Sequence, residues 1–252
     1  MAIDFPTWLP AAFFLIAFVY SMAGLAGGSS YLAVLILAGL TYKQVPSVAL
    51  FCNLIVSTCA FWHFYRGGHF DFKKVLPFVL LSIPAAYFGG SMMIGKQLFC
   101  FLLGLSLLVA GARMLLPEKK SEATRLISDR ERWLVGLPVG AALGFLSGLV
   151  GIGGGIFLSP ILLLIRWANA KQAAAAASFF ILVNSFSGLL GQAQKAASIP
   201  FSEPILFLGL VVFIGGQIGA SIGSYRLPRF VLQKIAGILI LYVSINLIGK
   251  AF

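Results

Sequence analysis

The chain has 252 residues, of which 60% are hydrophobic and only 10% are charged, and its mean hydropathy is +1.00. This composition excludes a water-soluble globular domain. The formal net charge of +11 would suit a nucleic-acid-binding protein, but the basic residues stand in short connections between apolar runs and no such motif occurs. We therefore interpret them as cations that flank membrane spans, with no nucleic-acid partner.

Long apolar runs without an Asp, Glu, Lys, Arg or His side chain follow one another and indicate about eight membrane spans. Residues 5–42 and 133–165 form two runs that exceed the roughly 20 residues needed to cross a hydrocarbon core. The other runs are 45–65, interrupted only by His63, and 75–95, 97–112, 173–194, 204–225 and 235–249. We predict an all-α, multi-pass integral membrane protein whose surroundings are the lipid bilayer.

The segment Trp8–Leu40 is about 33 residues long and contains a glycine cluster at residues 24–30. A continuous helix of this length would extend roughly 50 Å, against a hydrocarbon core of roughly 30 Å. We therefore predict a helix, a break and a short helix over Tyr31–Leu40, so that the first span is broken or re-entrant.

The candidate binding residues at this break are Gly27, Gly28, Ser29 and Ser30. Glycines let main-chain amides approach a ligand, and a helix that starts after them presents its positive end to an anion. The alternative is structural, because glycines also permit close helix packing and serine hydroxyls can satisfy freed carbonyl groups.

The run after Lys43 carries Asn53 and Ser57, which are four residues apart and share one helical face. A buried amide is costly without a partner, which leaves two roles for Asn53: lining a cavity or bonding to a neighbouring helix. His63 is interpreted as an interfacial residue, with proton coupling as the alternative. The three cysteines form no disulfide or metal pattern, and the sequence predicts neither a metal site nor a cofactor.

The hydrophilic segment 117–132 separates two halves with matching helix breaks. We predict a first transmembrane repeat over residues 1–116 and a second over 133–252, each with four spans. The matches, at offsets of about 126 to 130, are the broken runs, Lys43-Gln44 with Lys171-Gln172, and Gly89-Gly90-Ser91 with Gly219-Ala220-Ser221.

In the second half the glycine cluster precedes a short helix that we predict over Ile156–Ile165, and a pair of polar residues three apart again shares one helical face. The same two roles, ligand binding or helix packing, stay open for these side chains. The second-half candidates for substrate binding are Gly153, Gly154, Gly155, Ser159, Asn184, Ser187 and Gln217.

The two repeat-matched cations, Lys43 and Lys171, either attract anions to a vestibule or anchor the chain to lipid headgroups. Simple alternation of eight spans places both lysines on the same side of the membrane, opposite the chain termini. The distribution of basic residues leaves the orientation of the termini open.

The stretch Gly148–Pro160, GLVGIGGGIFLSP, resembles the TauE/SafE family of membrane transporters, together with Lys171-Gln172 and the alanine-rich run after it. The turn Phe70-Asp71-Phe72 and the pair Gly89-Gly90 are similar to that family as well. The resemblance implies an eight-span plasma (inner) membrane carrier for a small anion such as sulfite or an organosulfonate, with export as the expected direction. The first half departs from the pattern, because Val34 stands where the second half has Pro160.

An enzyme is disfavoured because the apolar spans contain no acid, and no HExxH or GxSxG arrangement occurs. A secondary transporter is the favoured function, with a small anionic substrate as its partner. An anion channel built on the same broken helices is one alternative, and a non-transporting scaffold or assembly protein is another. Association into a homo-oligomer stays open.

Overall fold

The computed structural model describes residues 6–115, 128–195, 203–225, 238, 241–245 and 247–249. Within these residues the chain is helical and contains no strand, which confirms the predicted all-α class. The segments 1–5 and 116–127, with most of the predicted linker, lie outside the described residues. The helices are α1 (Leu9–Ser21), α2 (Gly28–Leu37), α3 (Val45–Arg66), α4 (Phe72–Ser91), α5 (Lys96–Leu115), α6 (Asp129–Val150), α7 (Gly155–Leu164), α8 (Ala170–Ala193) and α9 (Glu203–Tyr225).

Five of these helices, α3, α4, α6, α8 and α9, are long and apolar enough to cross a membrane. The helices α1, α2 and α7 are apolar but shorter, with 13, 10 and 10 residues. The helices α1 and α2 are the two parts of the first long run, and α7 follows α6 in the second. The length of each run had argued against an unbroken span.

Both interruptions lie where the glycine clusters predict them. After α1 the chain passes through Gly24 and Gly27, with φ of +68° and +89°, and after α6 through Gly151, Gly153 and Gly154, with φ of +91°, +87° and +73°. Residues other than glycine rarely adopt these φ values, so the glycines determine where the helices stop. The short helix α2 begins three residues earlier than we predicted, because Gly28 and the two serines after it form its first turn rather than part of the break.

The helices α3 and α8 pack against each other in opposite directions. Near the start of α3, Leu50 contacts Gly188, close to the end of α8. Near the end of α3, the rings of Phe61 and Phe179 are 5.0 Å apart, and Phe64 packs with residues 174 and 175 at the start of α8. The beginning of α3 therefore lies at the same end of the bundle as the end of α8.

The antiparallel packing corrects the simple alternation of spans. Lys43 precedes α3 and Lys171 lies in the first turn of α8, so the two lysines stand at opposite ends of the bundle rather than on one side. We call these the Lys43 end and the Lys171 end. The reason is that each broken segment enters and leaves the bundle at the same end. Simple alternation counts such a segment as a full crossing and therefore predicts the wrong end for the residues after it.

Two parallel helix pairs hold the interior together. Glycines of α6 lie so close to α4 that an added Cβ would collide with main-chain carbonyls, and glycines of α9 lie equally close to α1. Small residues allow this approach of backbones, which drives helix association in membranes. The facing pairs are Gly140 with Phe78, Gly144 with Ser82 and Gly148 with Ala86 for α6 and α4, and Gly215 with Phe14, Gly219 with Phe18 and Gly223 with Met22 for α9 and α1.

Candidate functional site

The two helix breaks meet in the interior of the bundle. Gly28 lies against the carbonyl group of Ile152 and the side-chain amide of Asn53, and a Cβ at this position would overlap both. A Cβ on Gly153 would lie 3.1 Å from the same Asn53 Nδ2 atom. Asn53 Nδ2 also donates a hydrogen bond to the Gly151 carbonyl oxygen at 3.3 Å. We call Gly28, Asn53 and residues 151–153 the break crossing.

The short helix α2 begins at the break crossing with main-chain amides that have no acceptor inside the helix. Tyr31 N is the first amide of this helix that bonds back to a helical carbonyl, Gly27 O, at 2.9 Å. The amides of Gly28, Ser29 and Ser30 precede it and have no intrahelical acceptor. From the crossing α2 runs to the Lys43 end, so its positive end points into the interior.

The short helix α7 begins on the other side of the crossing. Its first residue, Gly155, lies against Ile181 of α8, and its N-cap, Gly154, lies against Phe180. From there α7 runs to the Lys171 end, so the two short helices direct their N-termini towards the middle of the bundle from opposite ends. The second break uses more of its own amides, because Gly155 N donates to Gly153 O at 3.0 Å and Phe157 N to Gly154 O at 3.1 Å.

Three predicted polar residues near the breaks have buried atoms without a hydrogen-bond partner in the described part of the chain. These atoms are Ser29 Oγ, Asn53 Oδ1 and Asn184 Oδ1. Their residues are 2%, 0% and 0% exposed, so solvent outside the bundle does not satisfy them. Buried polar atoms are nearly always hydrogen-bonded in proteins, and a bound ligand is one of the few reasons for an exception.

The repeat-matched asparagines make different bonds. Asn53 reaches the main chain of the second break, whereas Asn184 Nδ2 donates at 2.8 Å to Phe180 O, one turn back on its own helix. Asn184 follows the turn of α8 that contacts Gly154 and Gly155. The amide of Asn184 therefore lies beside the second break without holding it.

The other predicted residues lie around or away from the crossing. Ser30 Oγ is 2.6 Å from the Tyr20 hydroxyl oxygen, and Gly27 caps α2. Ser57 donates to Leu54 O of its own helix and Ser187 to Ile83 O of α4, while Ser159 is half-buried one turn inside α7. Gln217 Oε1 is 2.9 Å from His63 Nε2, at the contact of α9 with α3. A ligand role for these residues stays a prediction.

A cavity of about 430 Å³ opens at the Lys43 end, and its lining includes Leu149, two residues before the second break. Its wall includes Pro46, which packs on Gly151, and Gln192, whose Nε2 atom donates to Gly148 O at 2.9 Å. Two lysines, Lys43 and Lys195, stand in its lining.

Sequence reasoning did not identify Lys195 or Tyr20 as site residues. Lys195 follows α8 and reaches the cavity only because α8 runs antiparallel to α3, and Tyr20 meets Ser30 only because the chain reverses at the break. No local pattern marks either contact. Within the described residues no group of three His, Cys, Asp or Glu side chains lies close enough together to hold a metal ion.

Apolar helices interrupted at a buried crossing, with helix N-termini directed inwards, are typical of membrane transporters. The sequence matches the family described as "Sulfite exporter TauE/SafE" over residues 9–247. The chain therefore belongs to the TauE/SafE family, and it is a multi-pass membrane protein of a transporter family.

Curated relatives carry the same general description. A probable membrane transporter protein of Sinorhizobium fredii is 34% identical over 241 residues, which cover 95% of this chain and 97% of that protein. A probable membrane transporter protein of Methanocaldococcus jannaschii is 26% identical, with 91% and 92% covered, and one of Bacillus subtilis is 25% identical, with 88% and 90% covered. No solved structure matches the chain.

Proposed function

We propose that this protein is a secondary carrier that binds a small anion at the break crossing and moves it across the plasma membrane. Sulfite or an organosulfonate is the proposed passenger and export the proposed direction. The substrate class rests on the description of the family, since the relatives' names specify transport without a cargo.

The observation that carries the proposal is the start of α2 in the interior. Three consecutive main-chain amides, of Gly28, Ser29 and Ser30, have no acceptor within the helix, and Ser29 Oγ has no partner among the described residues. Amides at a helix N-terminus attract anions, because the helix dipole adds a partial positive charge there. A negatively charged passenger would supply the missing acceptors without a charged side chain at that depth, which would be costly in lipid.

We propose further that the carrier consists of two four-span halves with inverted orientation. Three paired observations support this arrangement. The helix α4 packs on α6 and α8 as α9 packs on α1 and α3, and the matched helices α3 and α8 are antiparallel. In transporters with inverted repeats, the substrate lies between the halves, and one half moves against the other around it. The eighth span would include residues 238–249, of which Ser244 Oγ donates to Gly104 O on α5 at 2.7 Å.

The test is a flux panel in proteoliposomes that contain the purified protein. Sulfite, sulfate, thiosulfate and small sulfonates are compared, each with and without a pH gradient. We expect saturable flux of at least one of these anions. We also expect loss of flux in Gly154→Leu and Asn184→Leu at unchanged membrane levels, because Gly154 belongs to the second break and Asn184 bonds to Phe180, which contacts Gly154.

Gly216→Ala is the matched control, since a Cβ there would meet Val56 only at an ordinary distance of 3.5 Å. Wild-type protein without any anion flux would contradict the proposal and favour a scaffold. Flux that does not saturate would favour an anion channel instead. Unchanged flux in both Gly154→Leu and Asn184→Leu would place the passenger elsewhere.

A further inference from the structure

We propose that the cavity at the Lys43 end is a second, outer binding site, where a small organic anion is held by Lys43 and Lys195 before it reaches the break crossing. The proposal rests on the carrier function for its direction of travel. We call this cavity the vestibule, defined by Lys43, Lys195, Gln192, Tyr42 and the apolar residues that complete its wall.

The charge of the vestibule has one sign. Lys43 precedes α3 and Lys195 follows α8, and the antiparallel packing of these helices brings the two cations to one cavity. The lining, within the described residues, contains both lysines and no acid. A concave site with charges of one sign raises the local concentration of oppositely charged solutes, so the vestibule attracts anions.

Lys195 is partly withdrawn from water. Burial lowers the pKa of its ammonium group, because the charged form loses hydration. An anion bound beside it would restore favourable interactions of the charged form. The Lys43 ammonium nitrogen lies 6.0 Å from the centre of the Tyr42 ring, which turns this lysine towards the same wall.

The size and the apolar part of the wall define the class of ligand. At about 430 Å³ the vestibule lies within the range of small-molecule pockets, of about 300–1,000 Å³, and a bare oxyanion would fill little of it. Ile94, Phe99 and Leu149 form an apolar surface in the same lining. An oxyanion group on a short apolar body therefore fits best, with the oxyanion at the lysines and the body against Phe99 and Leu149.

The vestibule lies next to the second break. Leu149 lies in its lining, and Pro46, another lining residue, packs on Gly151 of the break crossing. Gln192 lines the cavity while its Nε2 atom bonds to Gly148 O. Leu149 stands two residues before Gly151, whose carbonyl accepts from Asn53, so the vestibule adjoins the break crossing.

The test measures binding of propane-1-sulfonate to the purified protein in nanodiscs of zwitterionic lipid, by calorimetry. We expect Lys195→Gln and Lys43→Gln each to raise the Kd by about tenfold, as expected for loss of a hydrogen bond to a charged group. The double variant should raise it further, and Lys195→Arg should restore most of the affinity. Lys171→Gln, which removes the repeat-matched cation at the opposite end, is the control and should leave the Kd unchanged.

Two further probes define the ligand. Propan-1-ol, which keeps the apolar body without the charge, should not bind measurably. Nanodiscs with phosphatidylglycerol test whether an anionic lipid is the occupant. Binding of that lipid that depends on both lysines, without any binding of propane-1-sulfonate, would overturn the proposal in favour of a lipid site. An unchanged Kd in the double lysine variant would also overturn it.

Flux measurements separate this proposal from the carrier function. If the wild-type protein binds propane-1-sulfonate through both lysines but moves no anion, the vestibule proposal is supported and the carrier proposal is contradicted. If the protein carries anions but the double lysine variant keeps the wild-type Kd and half-saturating concentration, the carrier proposal is supported and the vestibule proposal is contradicted.

Discussion

The two helix breaks derive from similar sequences, yet the chain holds them in different ways. The second break is tied from outside, because Asn53 of α3 donates to the Gly151 carbonyl. The first break is closed by the residues on either side of it, through the Tyr20 and Ser30 hydroxyls. Asn184, the counterpart of Asn53, bonds to its own helix instead.

In the proposed carrier, this difference would give the two breaks different parts of the binding site. In the second break, Gly155 N and Phe157 N donate to carbonyl groups of the same turn. This break would therefore form a fixed wall of the proposed site. The first break leaves the amides of residues 28–30 and the Ser29 hydroxyl for another acceptor. Residues at matching sequence positions therefore make different contacts, and the donors for the proposed anion would lie mainly at α2.

The largest expected effect comes from the position where the breaks touch. Gly28→Ala would drive a Cβ into the Ile152 carbonyl and the Asn53 amide, which would separate the two breaks. We expect loss of flux and a fall of about 1–3 kcal/mol in stability, typical of overpacking. Flux at matched protein levels and thermal denaturation measure the two effects. Near-wild-type values for both would show that the crossing is not a tight contact.

The asparagines test the asymmetry directly. Asn53→Leu leaves the buried Gly151 carbonyl without its side-chain donor, at a cost of about 1–3 kcal/mol. Asn184→Leu removes a bond to Phe180 O within one helix and should cost less, about 0.5–1.5 kcal/mol. Thermal denaturation of the two variants, side by side, is the measurement. Equal destabilisation would mean that the breaks are held alike.

The closure of the first break should contribute less. Tyr20→Phe removes the hydroxyl that lies 2.6 Å from Ser30 Oγ and should cost about 1 kcal/mol of stability. Ser30→Ala should cost a similar amount, and the double variant little more than either single one, because both remove the same bond. A double-mutant cycle on thermal stability checks this. Additive losses would place Tyr20 and Ser30 in separate interactions.

The smallest expected effect separates ligand binding from stability. Ser29→Ala removes a buried hydroxyl that makes no close hydrogen bond among the described residues, so stability should change little. The half-saturating concentration for flux should rise by about threefold to tenfold, as for one lost hydrogen bond. Ser159→Ala, at a half-buried position of α7, is the control and should change neither quantity. A rise in both variants would mean that the passenger contacts α7 as well.

Much of the fold could be predicted from the sequence. The lengths of the apolar runs predict helices that cross a membrane, and the cluster Gly24–Ser30 predicts a break, because glycine at positive φ ends a helix. The start of α2 was wrong by three residues, since the serines after Gly28 are compatible with a first helical turn as well as with a loop. The placement of Lys43 and Lys171 on one side was wrong, because composition cannot distinguish a span from a segment that turns back.

The sequence marks candidate residues near the breaks, but it does not give their arrangement. Glycines and polar residues in apolar runs mark candidates, and Gly28, Asn53 and Gly153 indeed meet. That Gln217 pairs with His63, and that Ser187 bonds to α4, depends on which helices are neighbours. Helical periodicity gives the face of a residue but not the partner of that face.

The sequence by itself determined that the protein is helical, that it lies in a membrane and where its helices break, because these properties follow from local hydropathy and local backbone freedom. Only the tertiary structure decided that the breaks cross at Asn53, that the matched asparagines differ, and that Lys43 and Lys195 share one cavity. The physical reason is that these contacts join residues far apart in the chain, and the packing of α3 against α8 helps to bring them together.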